Sequence, residues 1–358
     1  MRTRYRRSLW IIGVAAVVLI AARIALPYVV LNSLNHRLAH MGAYSGRIAD
    51  IDIHLWRGAY SIDQMSITKV DGKVPVPLFK TARADISLTW KALVQGHFRG
   101  KIDFFDPVVN FVDGKSEGEK QTGQGVDWRE QLHALAPFRF DEINVSNGTI
   151  TFNNFVSSPK VDLKMTDVNG QVTNLTNVKR EGGDRVARMH ATAKVLGDAP
   201  LETSAEIDPV ERLGDFHYSI SIRNIKLVKA NSLARAYSGL DFAGGEGDFV
   251  MELQAKDRKL SGYAKPLFHG LKIFSWKQDV EQDKKGPLKL AYEAAAEGVA
   301  KIFKNHAKDQ FATRVSISGN IDDKNVSTSD AIIGILRNAF VEAYKPNLEN
   351  LSARPDDK

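Results

Sequence analysis

The chain has no cysteine. That absence removes disulfides, thiolate chemistry and cysteine-ligated zinc together. Beyond its first seven residues it also lacks any Lys/Arg block with interleaved aromatics, so nucleic acid is not an expected partner. The motifs that usually announce catalysis are missing: there is no Gly-x-Ser-x-Gly, no Walker loop and no His-Glu-x-x-His. Ser-x-x-Lys occurs at Ser66–Lys69 and Ser157–Lys160, but neither has a Lys-Thr-Gly partner, and both read as chance matches. His36 and His40 have the i, i+4 spacing of a helical metal pair, yet no third ligand stands near them in sequence. A solvated pair is the expectation there. Scattered carboxylates nominate no acid/base couple. The expectation is a protein that is not an enzyme and needs no cofactor or metal.

What is present begins with an apolar run. Leu9 to Ala22 is uninterrupted, and Arg2, Arg4, Arg6 and Arg7 stand just before it. Leu9–Leu31 is 23 residues, about 35 Å as a helix, enough to cross a bilayer. The four arginines set the orientation and hold the N-terminus in the cytoplasm. Arg23 near the far end can snorkel to the headgroups, and Pro27 is tolerated in a membrane helix. A cleaved signal peptide is the alternative, but no small-x-small pair closely follows Ala22 or Leu31. Net charge is +7, of which four charges sit in that leader; the remaining +3 is spread thinly.

Beyond the span the pattern changes to period two from residue 47 to residue 273. Ala84, Ile86, Leu88 and Trp90 alternate with Arg83, Asp85, Ser87 and Thr89. Phe98, Gly100, Ile102 and Phe104 alternate with Arg99, Lys101 and Asp103. Ile220 and Ile222 do the same, as do Phe249, Met251 and Leu253. We count roughly 15 such segments of the usual length. Asp71-Gly72, Asp113-Gly114, Asn147-Gly148, Asn169-Gly170 and Gly197-Asp198 read as the turns between them, and Gly244–Gly247 as a turn before the strand at Phe249. No long helical period interrupts the strands, so an antiparallel meander is expected.

The expected division is a basic leader over 1–8, an anchor over 9–31 and a first β module over 32–113. A flexible linker or exposed loop over 114–126 and a second β region over 127–287 follow. A helix–strand–helix over 288–345 and a disordered tail over 346–358 complete the chain. In the C-terminal part, Leu288–Asn305 and a segment ending at Tyr344 carry helical stripes, and Val315, Ile317 and Ile321 face inward from a last strand. The fold class is mainly β with C-terminal α.

Particular stretches carry a resemblance. Ile86-Ser-Leu-Thr-Trp90, Leu93, Gly96, the strand to Phe104 and Pro107-Val-Val-Asn-Phe111 follow one another after the membrane span. Phe140–Phe152 reads as a recurrent hairpin, and Ser158–Leu163 leads on to Asn169–Leu175. This order resembles the AsmA-like family of bacterial envelope proteins, in its branch known only as a domain of unknown function. The resemblance covers most of residues 5–275. It implies inner-membrane tethering, with the bulk of the chain periplasmic. It also implies a β trough that binds or transfers lipid, or aids homeostasis of the outer membrane. It supplies no catalytic residue. The trough lining it implies is Ile86, Leu88, Trp90, Ile102, Phe104, Ile143, Val145, Ile220, Ile222, Phe249, Met251 and Leu253. The expected partners are phospholipid acyl chains, with other envelope proteins as an alternative. The competing readings are a structural or assembly protein with a closed β core and, last, a periplasmic hydrolase. About 15 strands at ~4.8 Å give a stack of ~70 Å.

Overall fold

The structure is a computed structural model. It describes residues 2–54, 58–88, 99–123, 139–174, 186–207, 215–238, 241–257, 259–274, 310–312 and 314–320. It opens with helix α1, Arg2–Leu38, which is 37 residues long and carries Pro27 inside it. The expected helix over 9–31 is therefore present as backbone. The side chains of residues 2–9 lie outside the described residues, as do those of Ile11, Ile12, Ala15, Ala16, Val18, Leu19 and Ala22. Among the described residues no helix is long and apolar enough to cross a membrane.

A single sheet follows. Its first strands are β1 (Tyr44–His54), β2 (Ala59–Lys69), β3 (Phe79–Leu88), β4 (Arg99–Phe105), β5 (Val108–Asp113) and β6 (Arg139–Asn154). Next come β7 (Val161–Thr173), β8 (Ala187–Val195), β9 (Ala199–Ile207) and β10 (Phe216–Lys226). A 3-10 turn at Leu227–Ala230 and helix α2 (Asn231–Ser238) interrupt before β11 (Asp241–Lys256) and β12 (Lys259–Phe274). Short β13 (Gln310–Ala312) and β14 (Val315–Asn320) end the described part. All 14 described strands join one sheet, largely in chain order. β5 continues the line of β4, and β13 and β14 both lie beside β12, so the strands fill twelve positions. Eleven spacings of ~4.8 Å give ~53 Å, shorter than the stack expected from sequence.

The meander is not purely antiparallel. β6 runs parallel to β4 and β5. Three expected turns are also not turns. Asn147-Gly148 lies inside β6, Asn169-Gly170 inside β7 and Gly244–Gly247 inside β11. Each sits at a register shift, where one strand carries extra residues against its neighbour. Gln64, Asp106, Asn147, Asp167 and Asn224 all have φ between 49° and 55°, and Gly245 has φ 112°. These positions put a bulge or break into β2, the β4–β5 line, β6, β7, β10 and β11, adding local twist and bend. Asp71-Gly72 and Gly197-Asp198 do lie between strands, and Asp113-Gly114 ends β5.

Residues 114–123 fold back onto the first strands. Val112 and Gln121 form a backbone bridge, and Gln121 is fully buried with Nε2 donating to the Asn110 carbonyl at 2.9 Å. The Glu119 carboxylate accepts from the backbone N–H groups of Lys115 and Ser116, closing the loop on itself. The sheet runs through this region without a gap. Residues 124–126 and both expected C-terminal helices lie outside the described residues.

The last turns of α1 lie on the first strands. Leu34 and Leu38 are buried with Met41, Tyr44, Ile48, Ile51, Ile62, Met65, Ile67, Ala84, Ile86 and Ile102 in one core cluster. β1 begins the strand order, so its outer backbone groups have no strand partner among the described residues. Asn35 supplies one for Ile48. Its Nδ2 donates to the Ile48 carbonyl at 3.0 Å, and its Oδ1 accepts from the Ile48 N–H at 2.8 Å. Farther up the helix, Arg23 Nη1 donates to the Ile53 carbonyl at 3.1 Å. An unpaired buried backbone group costs about 1–3 kcal/mol, so the part-buried Asn35 pair protects an otherwise vulnerable edge, and the exposed Arg23 bond extends the cover along it.

Candidate functional site: one apolar face across the sheet

Directly paired residues on neighbouring strands point to the same face, so register shows what each face is made of. One row crosses all twelve positions: Ile53, Tyr60, Ile86, Ile102, Ile143, Val172, Met189, Ala205, Tyr218, Leu253, Gly262 and Ile317. The row two residues away reads Ile51, Ile62, Ala84, Phe104, Val145, Gly170, Ala191, Thr203, Ile220, Met251, Ala264 and Val315. Neither row contains a charge. Between them, on the opposite face, lies Asp52, Ser61, Asp85, Asp103, Asn144, Gln171, His190, Ser204, Ser219, Glu252, Tyr263 and Ser316. Every member of that row is polar. The sheet is amphipathic across its whole width.

Wherever the structure describes them, the residues expected to line a trough fall on this apolar face. Ile86 and Ile102 are buried in the core beneath α1, and Phe104 and Ile143 pack against that core. Val145 is half-buried on β6. Ile220, Ile222, Phe249, Met251 and Leu253 are half-buried on β10 and β11, with Ile220 opposite Met251 and Ile222 opposite Phe249. Leu88 lies at the end of β3, its side chain outside the described residues, and Trp90 lies wholly outside them. Arg2, Arg4, Arg6 and Arg7 are on α1, with side chains outside the described residues. Sequence reasoning passed over Val172, Met189, Ala191, Thr203 and Ala205, which connect the two named groups. Their alternation is present in sequence, but Ala and Thr carry too little hydropathy to stand out.

The two faces differ in their electrostatics as in their composition. On the apolar side, burial pushes the Tyr60 phenol up to about 12. On the polar side, charges and amides form ladders. Asn144 Nδ2 donates to Asp103 and Glu142, both at 2.8 Å, and Lys101 lies 3.3 Å from Glu142. Those contacts, the Asn144 bond first, hold Glu142 below the usual carboxylate range. At the far end the polar face is itself covered: Glu252, Tyr263 and Lys265 are all under 5% exposed. Tyr263 Oη donates to Glu252 Oε2 at 2.5 Å, and Lys265 Nζ and the Arg314 guanidinium lie 4.6 and 5.0 Å from the Tyr263 ring. This knot ties β11, β12 and the start of β14 together.

No family model matches this chain. No curated protein matches it either.

Two further features bound the site. The His36 and His40 rings lie 5.1 Å apart, with His40 Nδ1 2.8 Å from the His36 carbonyl; among the described residues no three His, Asp or Glu side chains could share a metal ion. The β8–β9 hairpin is fastened to the end of β10 by Asp198, which accepts from Lys229 at 2.7 Å and Lys226 at 2.9 Å. Those two bonds, the Lys229 bond first, pull the Asp198 carboxyl from 3.8 down to about 2. A depressed folded-state value favours folding fully above the unfolded value, and that contribution disappears as pH falls through the folded one. Thermal unfolding followed against pH should therefore show stability declining between about pH 4 and pH 2. The decline should be shallower in Asp198→Asn.

Proposed function

We propose that this chain is a membrane-anchored envelope protein whose apolar sheet face binds lipid acyl chains in a trough, as expected of an AsmA-like protein. The observation that carries the reading is the pair of uncharged rows running unbroken from β1 to β14. A one-sided apolar sheet of this width needs a covering, and hydrocarbon is one that requires no polar partner. The bulges and α2 support a curled sheet. α2 touches both β7 and β11. Trp10, Val14, Val17, Ile20, Ile24, Tyr28 and Val29, each more than half exposed on α1, support the anchor. On this reading the N-terminus is cytoplasmic and the sheet periplasmic. The chain binds lipid or passes it on, and catalyses nothing.

The sealed core beneath α1 favours a second reading for the first strands, a structural one. There the apolar face is already covered by Leu34, Leu38 and their neighbours. The lipid-binding stretch is accordingly β7 to β12. A photoreactive residue placed at Ile220 or Met251 in the full chain should capture phospholipid from membranes, while one at Gln171 or His190, on the polar row, should not. Equal labelling of both faces, or none at Ile220 and Met251, rejects the lipid reading and leaves the structural one.

A further inference from the structure

We infer that the end of β1 and the start of β2 rest in the headgroup layer of the anchoring membrane, so that the apolar face begins at an anionic lipid surface. This inference relies on α1 crossing the bilayer. Two contacts measure the alignment of helix and strand. Asn35 holds Ile48, and Arg23 holds Ile53. From Asn35 back to Arg23 the helix rises ~18 Å, and from Ile48 to Ile53 the strand advances ~17 Å. The two lengths agree, so β1 runs back alongside α1 towards its N-terminus. The end of β1 and the start of β2 thus stand beside Arg23.

Arg23 also marks depth. Between Arg7 and Arg23 the helix rises ~24 Å, and a hydrocarbon core needs ~30 Å. A span starting at Arg7 therefore ends ~6 Å past Arg23, near Pro27 and short of the Leu31 expected from sequence, within snorkelling reach of Arg23. The strand end held there cannot lie far out in water. Register carries the same level across the neighbouring strands: Ala59 pairs with Ser87, Leu88 with Gly100, and Arg99 with Arg139. Arg99 opens β4 and Arg139 opens β6. Register thus brings two arginine positions to this rim, and anionic headgroups attract basic residues held near a membrane surface. Ile53, Tyr60 and Ile86, the first members of the apolar row, lie directly behind it. The opposite end of β2 is ~33 Å away, at the turn that contains Asp71 and Lys73.

Absence of cysteine makes the test direct, because each introduced thiol is the single labelling site. The full chain is reconstituted in vesicles of phosphatidylcholine and phosphatidylglycerol. One nitroxide is attached at a time, in Val14→Cys, Ala59→Cys and Lys73→Cys, and its depth is read from relaxation by oxygen against a water-soluble nickel chelate. Oxygen should dominate at position 14, the two should be comparable at 59, and the chelate should dominate at 73. A label at 59 as water-exposed as the one at 73, with 14 in hydrocarbon, overturns the inference and spares the anchor. Headgroup depth at both 59 and 73 also overturns it, since the strands would then lie flat. Water exposure at 14 overturns anchor and inference together.

Discussion

Leu38→Asp should unfold the first strands of the sheet. Leu38 is 1% exposed at the last turn of α1, within the cluster that contains Tyr44, Ile48, Ile51, Ile62 and Ile67. Removing most of such a side chain costs about 2–5 kcal/mol through lost transfer energy and the cavity left behind. Asp adds a carboxylate with no cation in that cluster, and the penalty for burying it comes on top. A domain holds only about 5–15 kcal/mol of net stability, so the two losses together consume most of it. The helix should detach and uncover the Ile48 backbone groups that Asn35 holds. Limited proteolysis of the full chain in mild detergent should then cleave within residues 44–88, where the native protein resists. Leu38→Ala provides the calibration: urea unfolding should shift by about 2–5 kcal/mol with the fold retained. An Asp variant as resistant as the native protein would mean that α1 does not seal this end.

The strand face that this helix covers was legible from alternation wherever large side chains marked it. Ile86, Ile102, Ile220 and Met251 all lie on the same face, because period two and cross-strand register express the same pleat. Between them the signal fades at Gly170, Ala191 and Thr203, where the chain uses small residues. Asn147-Gly148 reads as a turn for a definite reason, whereas at Asn169-Gly170 the positive φ falls two residues earlier, at Asp167. A tight turn and a bulge both require a residue that accepts positive φ, and Asn147, at φ 55°, meets either need. Only long-range pairing decides between them. Parallel pairing of β6 with β4 and β5 was hidden similarly. It needs a connection of a dozen residues or more, and the 25 residues from 114 to 138 provide one. Their Gly-rich composition reads as slack, yet Gln121 within them is buried. α2 escaped notice because eight residues give barely two turns of period. The edge caps at Asn35 and Arg23 were illegible in principle, since each joins a helix to a strand that sequence spacing does not bring together.

Met251→Asp should leave the fold intact and reduce copurifying lipid about tenfold or more. Met251 lies on β11 between Ile220 and Ala264, in the same apolar row whose first members Leu38→Asp disrupts. Unlike Leu38, it is only half-buried. A carboxylate there can keep part of its hydration, so folding loses the methionine's contacts but does not take on a fully buried charge. An acyl chain laid along the face would have to strip that hydration. The cost is on the order of a few kcal/mol, and each 1.4 kcal/mol is tenfold in occupancy. Gln171→Asp, exposed on the polar row, should change neither property. Lipid extracted per mole of full chain and the thermal unfolding midpoint, measured on one preparation, separate the possibilities. Loss of lipid with an unchanged midpoint fits an open trough. A collapse of the midpoint matching that of Leu38→Asp would mean that β10 and β11 are sealed as tightly as the strands beneath α1, and the chain would then be a structural element of the envelope.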